Sequence, residues 1–238
     1  MENMVVTHNT HKNTHKIRRK LKRLCLKPVR VFCFHQVSDE YEPETMWECD
    51  WMQTEVFKKK ILTLKETHTF ISLEDAYGHI ANDRFRINNY AVLTSDDGWA
   101  SLKNILPWLA EEKIPVTLFL NPLYMDGVHH QSRDSEKFLT KEEVADLTEQ
   151  YEPFVTIASH GWSHEDCLKI PMESFKDSVR KSEEYLTNMK GKVPFYAFTY
   201  GRHNIKQMEF LDQQFIVPVL MDGMVNYDDA SCVHRECV

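Results

Sequence analysis

The sequence lacks the features that mark several specialised protein classes. None of its six cysteines forms a C-x-x-C pair, and their spacing outlines no framework. No stretch approaches the roughly 18 consecutive apolar residues of a transmembrane helix. The N-terminus has no apolar segment of the kind found in signal peptides. We therefore expect reduced thiols and a cytoplasmic protein.

Charge is distributed unevenly along the 238 residues. Residues 1–30 contain nine Lys and Arg against one Glu, although the whole chain has a net charge of −7. We expect residues 1–28, which are also rich in His, to form a disordered basic arm, either solvated or in peripheral contact with a membrane surface or a partner. A nucleic-acid-binding protein would carry its basic surface on the folded domain, so we expect no nucleic acid partner. Nothing in the sequence indicates an oligomeric state.

The rest of the chain alternates between strand-like and helix-like segments. Helical periodicity is found at 54–66, 72–81, 100–112, 140–150, 171–189 and 204–212. The intervening apolar segments predict strands at 29–35, 70–71, 91–97, 115–120, 154–158, 195–198, 215–220 and 231–236. This alternation is typical of a parallel sheet. No repeat or change of composition divides residues 29–238, which we predict to be one α/β domain.

Polar groups follow the carboxyl ends of four predicted strands. They are His35, the pair Asp96 and Asp97, His160, and Tyr200. In α/β barrels this edge of the sheet carries the active site. Two adjacent carboxylates at the end of a buried strand repel each other unless a cation lies beside them. Alone, the Asp-Asp-Gly sequence is more typical of an exposed turn of solvated acids.

The histidines His160 and His164 lie four residues apart, directly after another predicted strand. If this segment forms one helical turn, both rings lie on one side and suit a single metal ion, with Ser159 and Ser163 orienting them. A lone pair at this spacing is also compatible with a structural or surface role. Two imidazoles and one carboxylate are a common ligand set for catalytic zinc, which leaves the second carboxylate free to accept a proton.

Five segments together resemble one known family, the polysaccharide deacetylases (the NodB-homology group, carbohydrate esterase family 4). Residues 94–98, Thr-Ser-Asp-Asp-Gly, are similar to its Thr-Phe-Asp-Asp-Gly signature, and residues 159–164 to its His-Ser/Thr-x-x-His signature. Residues 196–201, Tyr-Ala-Phe-Thr-Tyr-Gly, resemble the third signature. Residues 34–37 and 57–73 resemble the segments that precede these signatures. The resemblance covers about residues 29–238.

The resemblance implies a distorted (β/α) barrel of about seven parallel strands. It further implies metal-dependent hydrolysis, most simply with Zn²⁺, of the N-acetyl group of an amino sugar in a surface polysaccharide or glycan precursor. By position, Asp96 is the expected general base, and Asp97, His160 and His164 are the expected metal ligands. The backbone N–H of Tyr200 is the expected oxyanion donor.

The chain departs from the family pattern near the second and third signatures. Gly161 replaces a Ser or Thr, Thr199 replaces a proline that would make the oxyanion loop more rigid, and the arginine of the third signature is missing. The late histidine that supplies the general acid has no clear counterpart. Of the candidates His35, His203 and His234, His35 has the best position.

Aromatic residues accompany these motifs. Trp99, Trp162 and Tyr124 are candidates for stacking on sugar rings, although a core role is equally open for the two tryptophans.

Two other functions remain open at this stage. One is the hydrolysis of a non-sugar amide on the same barrel, and the other is glycan binding without catalysis. The complete set of Asp96, Asp97, His160 and His164 argues against the second.

Overall fold

The protein is described here by a computed structural model that covers residues 27–40, 51–81, 88–127, 138–227 and 230–238. The predicted basic arm lies almost entirely outside these residues, as do Cys25 and Cys49. Among the cysteines that are described, Cys33, Cys167, Cys232 and Cys237 are all free thiols.

Strands and helices alternate along the chain as the sequence predicts. The strands are β1 (Val29–Phe34), β2 (Gln36–Val37), β3 (Trp51–Met52), β4 (Thr69–Phe70), β5 (Tyr90–Asp97), β6 (Val116–Leu120), β7 (Val155–Ser159), β8 (Lys192–Ala197), β9 (Val217–Met221) and β10 (Val233–Cys237). The helices are α1 (Thr54–Lys65), α2 (Leu73–Ala81), α3 (Leu102–Glu111), α4 (Pro122–Met125), α5 (Lys141–Gln150), α6 (Met172–Leu186) and α7 (Ile205–Gln213).

Seven parallel strands close into a barrel. Their order is β1-β10-β9-β8-β7-β6-β5, and β1 also pairs with β5, which closes the sheet. The short β4 adds an eighth strand at β5, and the register between β7 and β8 shifts at 157–159. The predicted single-domain, distorted (β/α) barrel of about seven parallel strands is therefore confirmed.

Hydrophobic residues fill two layers, one inside the barrel and one beneath the helices. Val31, Val92 and Val233 belong to a buried cluster together with Phe119. Because side chains alternate along a strand, residues two positions further along face the same way. The barrel interior therefore also receives the polar side chains that follow these valines, among them Thr94, Asp96 and Arg235.

The second layer packs the outer face of the strands against α1, α3, α5 and α6. Leu102, Ile105, Leu106 and Leu109 of α3 are fully buried there, at the spacing that the sequence predicts for one helix face. In the part of the chain that is described, no helix is both long and apolar enough to cross a membrane.

Candidate active site

Strand β5 ends in two carboxylates that point to different places. Asp96 continues the alternation of Val92 and Thr94 and lies inside the barrel, 4% exposed. Asp97 has a left-handed backbone with φ 70°, and Gly98 follows with φ 77°. A Cβ at position 98 would lie 2.7 Å from Leu120 Cδ2, so this turn requires glycine. The turn directs Asp97 away from Asp96, towards the rim of the barrel.

The Asp96 carboxylate is paired with Arg235 of β10. Arg235 Nη1 donates to Asp96 Oδ1 at 2.6 Å and Nη2 to Oδ2 at 2.5 Å, and the arginine is 1% exposed. Burial by itself raises the pKa of Asp96, but the adjacent guanidinium, together with His160, outweighs burial and holds that pKa well below its usual range. Asp96 is therefore a carboxylate at neutral pH.

The segment after β7 is a loop, so the condition of one helical turn at 160–164 is not met. Gly161 has φ 81° and His164 has φ 58°, and neither angle fits a right-handed helix. A Cβ at Gly161 would lie 3.1 Å from the hydroxyl oxygen of Tyr196, and together with the positive φ this tight contact disfavours a Ser or Thr here. The two left-handed residues turn the chain so that both imidazoles still face the end of β5.

The ring of His160 is oriented by a backbone carbonyl. Its Nδ1 lies 2.8 Å from Ala197 O, and because a carbonyl only accepts, Nδ1 carries the proton and Nε2 presents a lone pair. Burial lowers the pKa of His160 to about 4, although the nearby Asp96 opposes this shift. The expectation that Ser159 and Ser163 orient the rings is wrong, because Ser159 Oγ bonds Ser182 and Ser163 Oγ bonds Glu165.

Asp97 lies between the two histidines. Its Oδ1 is 3.5 Å from His160 Nε2 and 3.3 Å from His164 Nε2. Ligand atoms held by zinc in a tetrahedron, with bonds of about 2.0–2.1 Å, lie roughly 3.4 Å apart. Among the described residues, Asp97 Oδ1 is buried and has no hydrogen-bond partner, which a bound cation would supply. These three side chains fit a divalent metal ion, as the sequence predicts.

A second group of potential ligands, Cys33, His35 and Asp96, does not form a cation site. Their ligand atoms lie within 4.8 Å of one another. However, Arg235 Nη1 lies 3.4 Å from Cys33 Sγ and also bonds Asp96, so a guanidinium already supplies the positive charge. This proximity does place a ring nitrogen of His35 beside the carboxylate of Asp96.

The other histidine candidates for the general acid have different surroundings. His203 Nδ1 contacts Gly201 O, and its ring packs on Phe198. His234 Nδ1 pairs with Asp222 Oδ2 at 2.7 Å.

Tyr200 lies across from His164, and a cleft opens beside them. Tyr200 has φ 56°, and its ring centroid lies 4.7 Å from that of His164. The cleft has a volume of about 510 Å³, and its lining includes Tyr124, His164, Asp166 and Tyr200. Tyr124, a candidate sugar contact from the sequence, therefore lines this cleft.

The two tryptophans have different surroundings. Trp99 Nε1 donates to Asp97 Oδ2 at 3.2 Å, so its indole orients the carboxylate of a candidate metal ligand. The Trp162 ring packs edge-on against Tyr185 of α6 at 5.9 Å between centroids. Trp162 is not among the residues that line the cleft.

Arg235 is the site residue whose role was not predicted from the sequence. Its place in the last strand was expected, but its bond to Asp96 was not. One sequence feature could have indicated this role. Arg235 comes two residues after Val233, an apolar residue of the last predicted strand, in a chain that lacks the arginine of the third signature.

Comparison with known proteins agrees with this geometry. Residues 86–213, more than half of the chain, match the family model for polysaccharide deacetylase. No curated protein sequence matches the chain.

Similar folds are found among solved structures. IcaB from Ammonifex degensii has a TM-score of 0.72 at 18% identity, covering 89% of this chain and 92% of that one. Streptococcus pyogenes deacetylase PplD, in complex with acetate, has a TM-score of 0.75 at 16% identity, with the same coverages of 89% and 92%. A de-N-acetylase from Aggregatibacter actinomycetemcomitans has a TM-score of 0.71 at 16% identity, covering 89% and 95%.

At these low sequence identities, the structural matches support the fold alone. The family model, in contrast, matches the sequence itself across β5, β6, β7 and β8. That matched region contains Asp96, Asp97, His160 and His164. The chain belongs to the polysaccharide deacetylase family.

Proposed function

We propose that this deacetylase-family hydrolase is metal-dependent and removes the N-acetyl group from an amino sugar of a surface polysaccharide or glycan precursor. The observation that carries the proposal is the buried Oδ1 of Asp97, which has no hydrogen-bond partner among the described residues and lies 3.3 and 3.5 Å from two imidazole nitrogens. The similar folds are compatible with this chemistry, since one belongs to a de-N-acetylase and another was obtained with acetate, the expected product.

Asp97, His160 and His164 would hold the metal ion, most simply Zn²⁺. When bound, such an ion polarises the amide carbonyl and lowers the pKa of water to about 7. The protonated Nδ1 of His160 fixes the ring so that Nε2 faces the site, and the indole of Trp99 fixes the Asp97 carboxylate. The chain thus orients two of the three ligands before any ion binds.

Asp96 would accept the proton of the attacking water. The guanidinium of Arg235 keeps this carboxylate ionised and restricts its position. His160 Nε2 is 3.7 Å from Asp96 Oδ2, so the base lies directly beside the metal ligands. Proton transfer by a positioned side chain contributes roughly 10²–10⁴-fold to a rate.

Two further residues would complete the hydrolysis. The backbone N–H of Tyr200 would donate to the former carbonyl oxygen as negative charge develops there. His35, beside Asp96, would protonate the departing amine as the carbon–nitrogen bond breaks, releasing acetate and the free amino sugar. Tyr124, at the cleft, would contact the sugar.

Metal content tests the first part of the proposal. After reconstitution with Zn²⁺, we expect one ion per chain in the wild type and none above background in a His160→Ala/His164→Ala variant. A wild type that binds less than stoichiometric metal, or a double variant that binds as much, would contradict the site.

Acetate release from N-acetylated amino sugar oligomers tests the reaction. We expect Asp96→Asn to bind metal normally and to lose about 10²–10⁴-fold in rate, measured where circular dichroism shows the variant to be folded. A rate that survives Asp96→Asn would remove Asp96 as the base. Release of amine from a non-sugar amide but not from the oligomers would favour a different substrate class.

A further inference from the structure

Two functional residues adopt a backbone conformation that is unfavourable for them. His164 has φ 58° and Tyr200 has φ 56°, and their rings meet edge to face with centroids 4.7 Å apart. A left-handed conformation costs a residue with a Cβ roughly 1–2 kcal/mol and persists where the surrounding structure holds it. Surrounding residues must therefore hold the turns at His164 and Tyr200 in place.

Thr199 connects the two turns directly beneath Tyr200. It is 1% exposed, and its hydroxyl donates a hydrogen bond to the backbone carbonyl of Glu165, the residue after His164. The same hydroxyl lies 3.4 Å from Cys167 Sγ. One buried side chain thus links the residue before Tyr200 to the residue after His164.

The loop that Thr199 contacts is itself firmly attached. The Glu165 carboxylate accepts from the hydroxyl of Ser163 and from Ser178 Oγ of α6 at 3.3 Å. Gln207 Nε2 of α7 donates to Cys167 O at 2.6 Å. Because the loop is anchored to helices on both sides, a hydrogen bond to it holds the Tyr200 turn in place.

We propose that Thr199 is a positioning residue, whose hydroxyl holds the Tyr200 turn against the metal-binding loop. The inference rests on the proposed function, in which the Tyr200 N–H is the oxyanion donor. Position 199 is where the family signature has proline, a residue that restricts the backbone through its ring and has no side-chain donor. In this chain a side-chain hydrogen bond provides the restraint.

Thr199→Val tests the hydroxyl, because valine keeps the shape of threonine without its donor. We expect kcat for acetate release to fall about tenfold, with KM within twofold of wild type and one metal ion still bound per chain. The expected loss is smaller than the roughly 10²–10³-fold that follows removal of an oxyanion donor, since the donor is still present but less well placed. Thr199→Ser keeps the hydroxyl and should keep kcat within about twofold of wild type.

Thr148→Val is the matched control. Thr148 is also 1% exposed, and its hydroxyl donates to the carbonyls of Val144 and Ala145 within α5. The control loses an equivalent buried hydrogen bond, so it should lower thermal stability without changing kcat. If Thr199→Val does not fold, Thr199→Ala removes the same hydroxyl with less bulk and carries the same expected loss.

The outcomes separate this inference from the proposed function. The role of Thr199 would be overturned if kcat were unchanged in Thr199→Val or Thr199→Ala. It would also be overturned if Thr148→Val and Thr199→Val lost kcat equally. In both cases acetate release by the wild type would still stand. A loss of kcat in Thr199→Ser as large as in Thr199→Val would also overturn the role of Thr199, since the hydroxyl would then not be the determinant. A wild type that binds metal but releases no acetate would instead refute the proposed function.

Discussion

The barrel interior and the rim of loops at its carboxyl end differ in whether a buried carboxylate has a hydrogen-bonded protein partner. In the interior, Asp96 meets Arg235 in two hydrogen bonds of 2.6 and 2.5 Å. At the rim, Asp97 Oδ1 is buried with no hydrogen-bond partner among the described residues. These two carboxylates are adjacent in the chain, and only the left-handed turn at Asp97 separates their environments.

The difference indicates which part of the site supports the fold and which part supports binding. A buried ion pair is costly to break, because removing one partner leaves the other charge uncompensated. An unsatisfied buried oxygen costs the folded state free energy until a ligand satisfies it. Substitutions in the interior should therefore lower stability, whereas substitutions at the rim should lower metal affinity.

Arg235→Met gives the largest expected effect on stability. Methionine fills similar space but leaves the Asp96 carboxylate buried without its partner, so we expect the free energy of unfolding to fall by about 3–5 kcal/mol. Urea denaturation of the metal-free protein measures the change.

Arg30→Met is the matched control for Arg235→Met. Arg30 makes a comparable two-bond pair with Glu236 between β1 and β10, but its side chain is 36% exposed. An exposed pair of this kind contributes about 1 kcal/mol or less. Equal losses in the two variants would show that burial of the Asp96 pair is not what matters.

Lowering the pH of the metal-free protein should reduce its folding stability by an intermediate amount, through His160 at the rim. The pKa of His160 is lowered from 6.5 to about 4 by burial in the folded state, so the unfolded chain takes up a proton at higher pH than the folded chain does. Stability is therefore fully present above about pH 7 and decreases as pH falls from 6.5 to about 4, by roughly 3 kcal/mol in total.

Below this window Asp96 adds to the loss. Its folded pKa lies well below its usual range, so its contribution is present above the ordinary carboxyl pKa and decreases as pH falls further. Urea midpoints measured with a chelator from about pH 8 to about pH 2 give the profile. His160→Gln should flatten the part between pH 6.5 and 4, and a variant with an unchanged slope would show that His160 does not cause it.

The strand-end pattern predicted that Asp96, Asp97 and His160 share one edge of the barrel, and the family resemblance assigned Asp97, His160 and His164 as candidate metal ligands. Asp97 is the last residue of β5 and His160 follows β7, and parallel strands present their carboxyl ends at one edge. The prediction of the ligands did not require the correct loop conformation. A helical turn was one way to bring His160 and His164 together, but the loop with left-handed Gly161 and His164 brings the same rings to Asp97.

The partner of Asp96 was not predictable in the same way. Arg235 lies 139 residues further along the chain, and their contact depends on barrel closure and on the register of β10 against β1. Periodicity in a sequence indicates which face a residue occupies, but it does not specify which strands become neighbours. Hydrogen bonds such as Thr199 to Glu165 depend in addition on loop conformation, which has no periodic signal.

Asp97→Asn should give the smallest effect on stability and directly tests the contrast between interior and rim. Asparagine keeps an acceptor for the indole N–H of Trp99 and removes a charge whose ion-pair partners among the described residues are the imidazoles of His160 and His164 and no Lys or Arg. At pH 8, without metal, we expect the free energy of unfolding to stay within about 1 kcal/mol of wild type.

The same substitution one residue earlier, Asp96→Asn, leaves Arg235 buried without a counter-charge and should cost about 3 kcal/mol or more. Zinc affinity should show the reverse order. It should fall more than about 100-fold in Asp97→Asn, beyond the loss caused by residues that only support ligands, and change little in Asp96→Asn. If both variants lose similar stability and similar affinity, the two carboxylates do not have separate roles, and the left-handed turn between them does not divide the site into a structural half and a binding half.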